Sequence, residues 1–458
     1  MKPNFATIVL SVCLFLFLSK LSSQSLEDYI SENAILMNSG DKVKDFGLTN
    51  LTDNQLVFFG FIHGAATPQI MDFELLKYLV ENGGFRYYAP EVDASQAYFL
   101  NKYLESGNEE LLDFVMFFYQ QRVPQDASHQ LKAKWEMIYN FNRALDENDK
   151  LTIVGTDRPS GDKRLAITHL AYLLGENKTG IPQVDSLEMY RNTILEIRQV
   201  WSGKPAQERI AKYGGYTAEY YYPVQSKYNF SWRFVRYYEA NKQEVIDGFN
   251  ALGIDAEHIL DSPHKYREEN IFNNFKDKVI PLIESGEKVY SNFGFSHIMQ
   301  KEIFNSCYLA CLVKNEFPEL RMETVLGLLS NSKVVKYRQW KKSKETIEER
   351  GLVFQKMVYN GYSTSSSWDG DYIFEKLDGI NELKKATNSH DVLFLDLDKP
   401  NSPMKDSRYF SNYKRGVKNM FLDEEGSTLD FFQYIVYMKG SEASVPLESP
   451  FNKVYPLH

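Results

Sequence analysis

The chain reads as an α/β protein with a mostly parallel central sheet flanked by helices and carrying a large helical insertion. Three observations lead there. Strand-like runs at residues 56–62 (LVFFGFI), 86–92 (RYYAPEV), 151–157 (LTIVGTD) and 288–294 (KVYSNFG) are separated by helical patterns, the order that builds a parallel sheet. The first run is continuous rather than alternating, as in a strand buried on both faces. Polar residues stand at the carboxyl ends of these runs, the edge where open α/β sheets bind ligands.

Lys2 precedes an apolar run at residues 6–18, and Ser22, Ser23 and Ser25 follow it. This is the layout of a signal peptide, assigned to residues 1–24. The run is shorter than the ~20 residues a membrane span needs. Cys13 lies inside the run instead of closing it, which argues against lipidation. Losing Lys2 and Lys20 takes the net charge from −9 to −11, so a nucleic-acid partner, which needs a basic face, is excluded. No second long apolar segment follows, so the processed chain is expected to have no membrane span and to be secreted or periplasmic. With 43% hydrophobic residues, positions 25–458 can bury the core of a single domain.

The strand at 56–62 ends at His63-Gly64. Thr67 and Pro68 then offer N-cap and first-turn chemistry, and Ile70, Phe73, Leu76, Tyr78 and Leu79 carry a helix to Gly83-Gly84. The strand at 86–92 precedes a helix over about 94–104, and a helix over about 127–145 precedes the strand at 151–157. From about 163 to 287 the pattern is helical, interrupted at 216–232 by clustered aromatic rings that suit a bundle core or a pocket lining. Later strands are expected at 325–329, 392–397 and 432–438. The charged stretch 341–350 lies between strands and reads as a decorated edge. Cys307 and Cys311 stand one turn apart on a helical pattern. Two cysteines are too few for a disulfide framework, so they read as small buried side chains, with a two-thiol metal site as the alternative.

A short internal echo singles out the chemistry. Phe59-Gly60-Phe61-Ile62-His63 and Phe293-Gly294-Phe295-Ser296-His297 share the form Phe-Gly-Phe-x-His, each at a strand's carboxyl end. If the strands are neighbours, about 4.8 Å apart, then His63, Glu91, Asp93, Asp157, Arg158 and His297 converge. Two imidazoles among carboxylates can supply general acid and base, or hold a divalent metal through nitrogen and oxygen. His129, His169, His258, His264, His390 and His458 have no such context and read as structural or surface residues. No phosphate-cradling loop, nucleophile elbow or zincin helix occurs.

Gly60-Phe61-Ile62-His63, Glu91, Arg267-Glu268 and Gly294-Phe295-Ser296-His297 follow the order and spacing of one superfamily. Over residues 45–450 the chain resembles the erythromycin esterase, ChaN and Tiki/TraB group. The resemblance implies an α/β fold with its site at the strand ends, and hydrolysis of an ester, lactone or amide in a small-molecule or peptide substrate. His63 would be general base or metal ligand, Glu91 would orient it or bind the metal, and His297 would be the second acid/base or ligand. Arg267 would open a helix and send its guanidinium into the cleft to bind a carboxylate or a developing oxyanion, with Asp157 and Glu268 on the substrate side. Without the resemblance, Arg267 reads equally as an exposed pair with Glu268 or Glu269. A metal held by His63, Glu91 and His297 would be Mn, Co or Zn. Since ChaN-type relatives bind haem, the alternative is a non-catalytic ligand- or haem-binding protein. Two departures stand out: Gly60 replaces a Glu of the esterases, and Gly294 replaces a His.

Overall fold

The computed structural model describes residues 24–38, 49–159, 164–174, 180–185, 241–261, 266–366, 371, 376–387, 390–414, 426–447 and 453–456, less positions 124, 183, 304, 350, 351 and 412. The first half runs α1 (Leu26–Asn33), β1 (Ile35–Met37), β2 (Leu56–Phe61), α2 (Thr67–Gly83), β3 (Tyr87–Pro90), α3 (Ala94–Ser106), α4 (Glu109–Arg122), α5 (His129–Ala144), β4 (Thr152–Ile153) and α6 (Arg164–Leu174). Then come α7 (Lys242–Asn250), α8 (Ala256–Leu260), α9 (Arg267–Lys278), β5 (Val289–Gly294), α10 (Leu309–Glu316), β6 (Met322–Ser330), β7 (Val334–Glu349), β8 (Leu352–Ser365), β9 (Val392–Asp396), β10 (Tyr434–Lys439) and β11 (Lys453–Pro456).

Eight strands form the main sheet in the order β1-β9-β10-β6-β2-β5-β3-β4. Every pair from β10 to β4 is parallel, and only β9 runs against its neighbours. All six residues of β2 are buried. Val57, Phe59 and Phe61 join the core on one face, with Leu76, Phe99 and Trp135. Leu56 and Phe58 join the core on the other, with Ile271, Phe275 and Ile435. Each such side chain contributes roughly 1.5–3 kcal/mol by leaving water, which is why a continuous apolar run becomes a central strand.

A polar cluster crosses the first of these cores. Tyr88 OH and Tyr290 OH donate to the two carboxylate oxygens of Asp72, at 2.7 and 2.6 Å, and Lys134 Nζ donates to the same group at 2.6 Å. Lys134 and Asp72 are almost wholly buried. Burying two charges costs several kcal/mol per ion unless their bonding capacity is met, and here α2, β3, β5 and α5 each supply one member.

Several boundaries differ from the sequence expectation. Helix α2 begins at Thr67 itself, with Ala66 at the cap and no side-chain cap bond. The Thr67 amide instead donates to Ser441 Oγ at 3.0 Å. The runs at 86–92 and 151–157 form regular strands only over β3 and β4, and beyond them they stay joined by an isolated parallel bridge between Asp93 and Asp157. The charged stretch 341–350 falls in the β7–β8 hairpin, which β11 extends to a separate three-stranded sheet. Cys307 and Cys311 are not free thiols but a disulfide. Cys307 precedes the helix, whose cap is Tyr308, and its Cα lies 5.3 Å from that of Cys311, within bridging reach. The signal-peptide run and the aromatic stretch 216–232 lie outside the described residues. Described parts of the 163–287 segment form helices α6 to α9.

Candidate active site

Because β2, β5 and β3 are adjacent and parallel, their carboxyl ends deliver His63, His297 and Glu91 to one place. Gly294 closes β5, and its amide donates to Glu91 Oε2 at 2.9 Å. His63 Nε2 lies 3.3 Å from the same oxygen. The other ring nitrogen, His63 Nδ1, lies 3.3 Å from Asp126 Oδ2. Asp126 stands in the loop before α5, held by Gln69 Nε2 at 2.8 Å. It was not among the sequence candidates.

Helix α9 opens with Arg267, as expected, and its guanidinium enters the cleft. Its partners are Glu91 and Asp157, not Glu268 or Glu269. Arg267 Nη2 donates to both carboxylates and Nε donates to Asp157 Oδ1 at 3.2 Å. Asp157 follows β4 by four residues, and its amide donates to Val92 O at 3.0 Å. Arg267 Nη1 also donates to His297 Nε2 at 3.3 Å. A guanidinium can only donate, so Nε2 presents its lone pair and the ring proton sits on Nδ1. That nitrogen lies 2.7 Å from Glu268 Oε1. Glu268 is therefore the partner of His297.

Asp93 does something else. Its carboxylate accepts from the Gln96 amide at 2.9 Å and closes a capping box on α3. His129 is exposed, and His169 is buried on the ring of Tyr98 with Nδ1 3.2 Å from Ser95 Oγ. His264 and His458 lie outside the described residues.

The two imidazoles have unlike surroundings. Burial opposes a charge on His63, but Glu91 and Asp126 more than offset it and push its pKa up to about 10. Burial likewise works against the Glu91 carboxylate, but His63 and Arg267 hold it well below the usual range. His63 therefore carries a proton at neutral pH, while His297 offers a lone pair.

The glycine at 294 lets these groups close in on the strand end with no side chain between them. A Cβ there would stand 3.0 Å from His63 Nε2, 3.6 Å from His297 Cδ2 and 3.7 Å from Glu91 Oε2. Gly60 has a different reason: a Cβ would meet the Ile298 side chain at 2.4 Å, so close packing of β2 on the residues after β5 leaves no room.

As arranged, the donors do not fit Mn, Co or Zn. The guanidinium of Arg267 already stands between Glu91 and His297, and both ring nitrogens of His63 face carboxylates. Among the described residues no group of three or more His, Cys, Asp or Glu side chains is disposed to hold a metal. Among the described residues, no helix is long and apolar enough to cross a membrane.

Neither a family model nor a curated protein matches the chain. Solved structures do. A succinoglycan biosynthesis protein aligns at a TM-score of 0.53 and 15% identity, over 92% of this chain and 98% of the other. A Bacillus cereus protein aligns at 0.52 and 15% identity, over 93% and 99%. A mutant of the erythromycin esterase EreC in its open conformation aligns at 0.50 and 16% identity, over 90% and 98%. The chain has an erythromycin esterase-like fold. At such identities the likeness concerns the fold alone.

Proposed function

We propose that the chain is an exported hydrolase that attacks an ester, lactone or amide carbonyl of a small-molecule or peptide substrate with an activated water. The observation that carries this reading is the convergence at Gly294 of two unlike imidazoles, one accepting a hydrogen bond at Nε2 and one held charged by its two carboxylate neighbours. His297, with Glu268 Oε1 2.7 Å from its Nδ1, takes the proton of the attacking water at Nε2 once that water replaces Arg267 Nη1 there. Arg267 stabilises the oxyanion as it forms, and the proton of His63 goes to the leaving group. Glu91 and Asp126 keep His63 charged until that step. This assignment exchanges the roles that the strand-end pattern alone suggests, since His63 is protonated and cannot begin as the base.

A panel of activated esters and lactones, assayed from pH 6 to 11 with background hydrolysis subtracted, tests the reading. Turnover should persist in a chelator at stoichiometric excess over protein. The value of kcat/KM should fall through an alkaline limb near pH 10, as His63 loses the proton that the reaction needs. His63→Gln should remove that limb along with most of the activity. Activity lost on chelation and restored by Mn, Co or Zn would return the metal mechanism to first place. A visible absorption band on haemin titration, without turnover, would favour the binding protein.

Export is supported by the apolar run at residues 6–18 and by the Cys307–Cys311 bond, because disulfides persist in oxidising compartments. The mass of the exported protein should place its first residue between Ser22 and Leu26. A secreted product that retains residues 1–20 would contradict this.

A further inference from the structure

The position of the disulfide matters to the site. Between its two cysteines stand Tyr308 and Leu309, and both touch the pair that includes His297. The Leu309 amide donates to Glu268 Oε2 at 3.1 Å, while the other oxygen of that carboxylate lies 2.7 Å from His297 Nδ1. The ring of Tyr308 meets the His297 ring edge-on, centroids 5.8 Å apart. Leu309 is the first residue of α10, and Tyr308, the cap, offers no side-chain bond to hold that terminus. Asn315, one turn beyond Cys311, directs its amide nitrogen at both sulfurs.

We propose that the Cys307–Cys311 disulfide is a positioning device for His297, clasping the Tyr308–Leu309 turn so that the Leu309 amide fixes Glu268 and Glu268 fixes the Nδ1–H tautomer of the ring. The bond acts through three neighbours and touches no reacting atom. Opening it takes a dithiol: the sulfur–sulfur bond breaks, each cysteine gains a proton, and the dithiol closes to its own disulfide. The first turn of α10 then loses its covalent tie. Leu309 N–H and the carboxylate are free to separate, and His297 can carry its proton on either nitrogen. A base displaced by about 1 Å can lose on the order of a hundredfold in rate.

The kinetic arm rests on the hydrolase reading, whereas the spectroscopic arm does not. The full-length exported protein, with ring-labelled histidine, is compared before and after treatment with dithiothreitol, thiol titration confirming two new thiols. The only other cysteine of the chain is Cys13. In the oxidised protein the nitrogen shifts of His297, assigned with His297→Gln, should report a fixed Nδ1–H tautomer. On reduction they should average toward a mixture, and the Leu309 amide should exchange with solvent at least about tenfold faster. Hydrolysis should fall in kcat with KM within about twofold, since a displaced base weakens the transition state more than the bound substrate. Reoxidation should restore all three readouts. The double variant Cys307→Ala and Cys311→Ala should match the reduced protein and be indifferent to dithiothreitol. Unchanged nitrogen shifts and unchanged exchange with both thiols free would overturn the proposal. So would a loss of kcat without any change at His297. If the spectra respond but no ester is ever turned over, the hydrolase reading fails and the positioning role stands.

Discussion

Arg267→Met should lower the stability of the protein by about 3 kcal/mol, the low end of the 3–5 kcal/mol seen when a buried ion pair loses one partner. The reason lies in what the guanidinium leaves behind. Glu91 is 4% exposed and the Asp157 side chain is wholly buried, so neither carboxylate can turn to water. Arg267 itself is 31% exposed, which keeps the effect from the upper end. Arg267→Lys should recover only part, because an ammonium carries the charge but cannot place parallel N–H donors on two carboxylates. The midpoint of urea unfolding at constant m-value measures both variants. A midpoint within error of wild type for Arg267→Met would mean that water reaches the carboxylates once the guanidinium is gone.

His297→Ala should cut kcat by about a thousandfold, in the middle of the range for removal of a general base. Its stability should stay within about 2 kcal/mol of wild type. The side chain follows β5 and packs on Tyr308 and Phe293 at the edge of the second core, with few atoms of its own inside it. Glu268→Gln should cost less, since an amide oxygen still accepts from Nδ1–H but no longer favours the charge that forms on the ring. His129→Ala is the control. Its ring is exposed, and its amide bond to Val445 O survives the substitution, so activity and unfolding should be unchanged. A His297→Ala protein that melts like wild type and turns over at full rate would remove this residue from the mechanism.

The central strand β2 was legible in the sequence because it is buried on both faces and so shows as an unbroken apolar run, and β5 because it repeats the same Phe-Gly-Phe-x-His ending. The convergence of His63, Glu91 and His297 followed from the echoed Phe-Gly-Phe-x-His pattern and the rule that parallel strands end on one edge. Asp126 was not legible. It sits in a loop 63 residues beyond His63, where no periodicity marks it, and only the packing of α5 brings it to the ring. The β7–β8 hairpin was hidden because its charged run lacks the apolar alternation that announces a half-buried strand. The disulfide was hidden because two cysteines four apart read as one face of a helix, whereas Cys307 lies just before the helix begins. The roles of the two imidazoles also needed the structure: the sequence places both at strand ends, but only the partners of each nitrogen say which one holds a proton.

The cluster of Asp72, Tyr88, Lys134 and Tyr290 has a consequence for how this sequence can change over time. Removing Lys134 strands a buried carboxylate, and removing Asp72 strands a buried ammonium and two phenols. Each single step is therefore costly, while joint replacement by apolar residues of matching volume need not be. The four positions lie on four separate elements and are scattered over more than two hundred residues. They should nevertheless be inherited as one unit, kept together or exchanged together, with few viable intermediates between the two states.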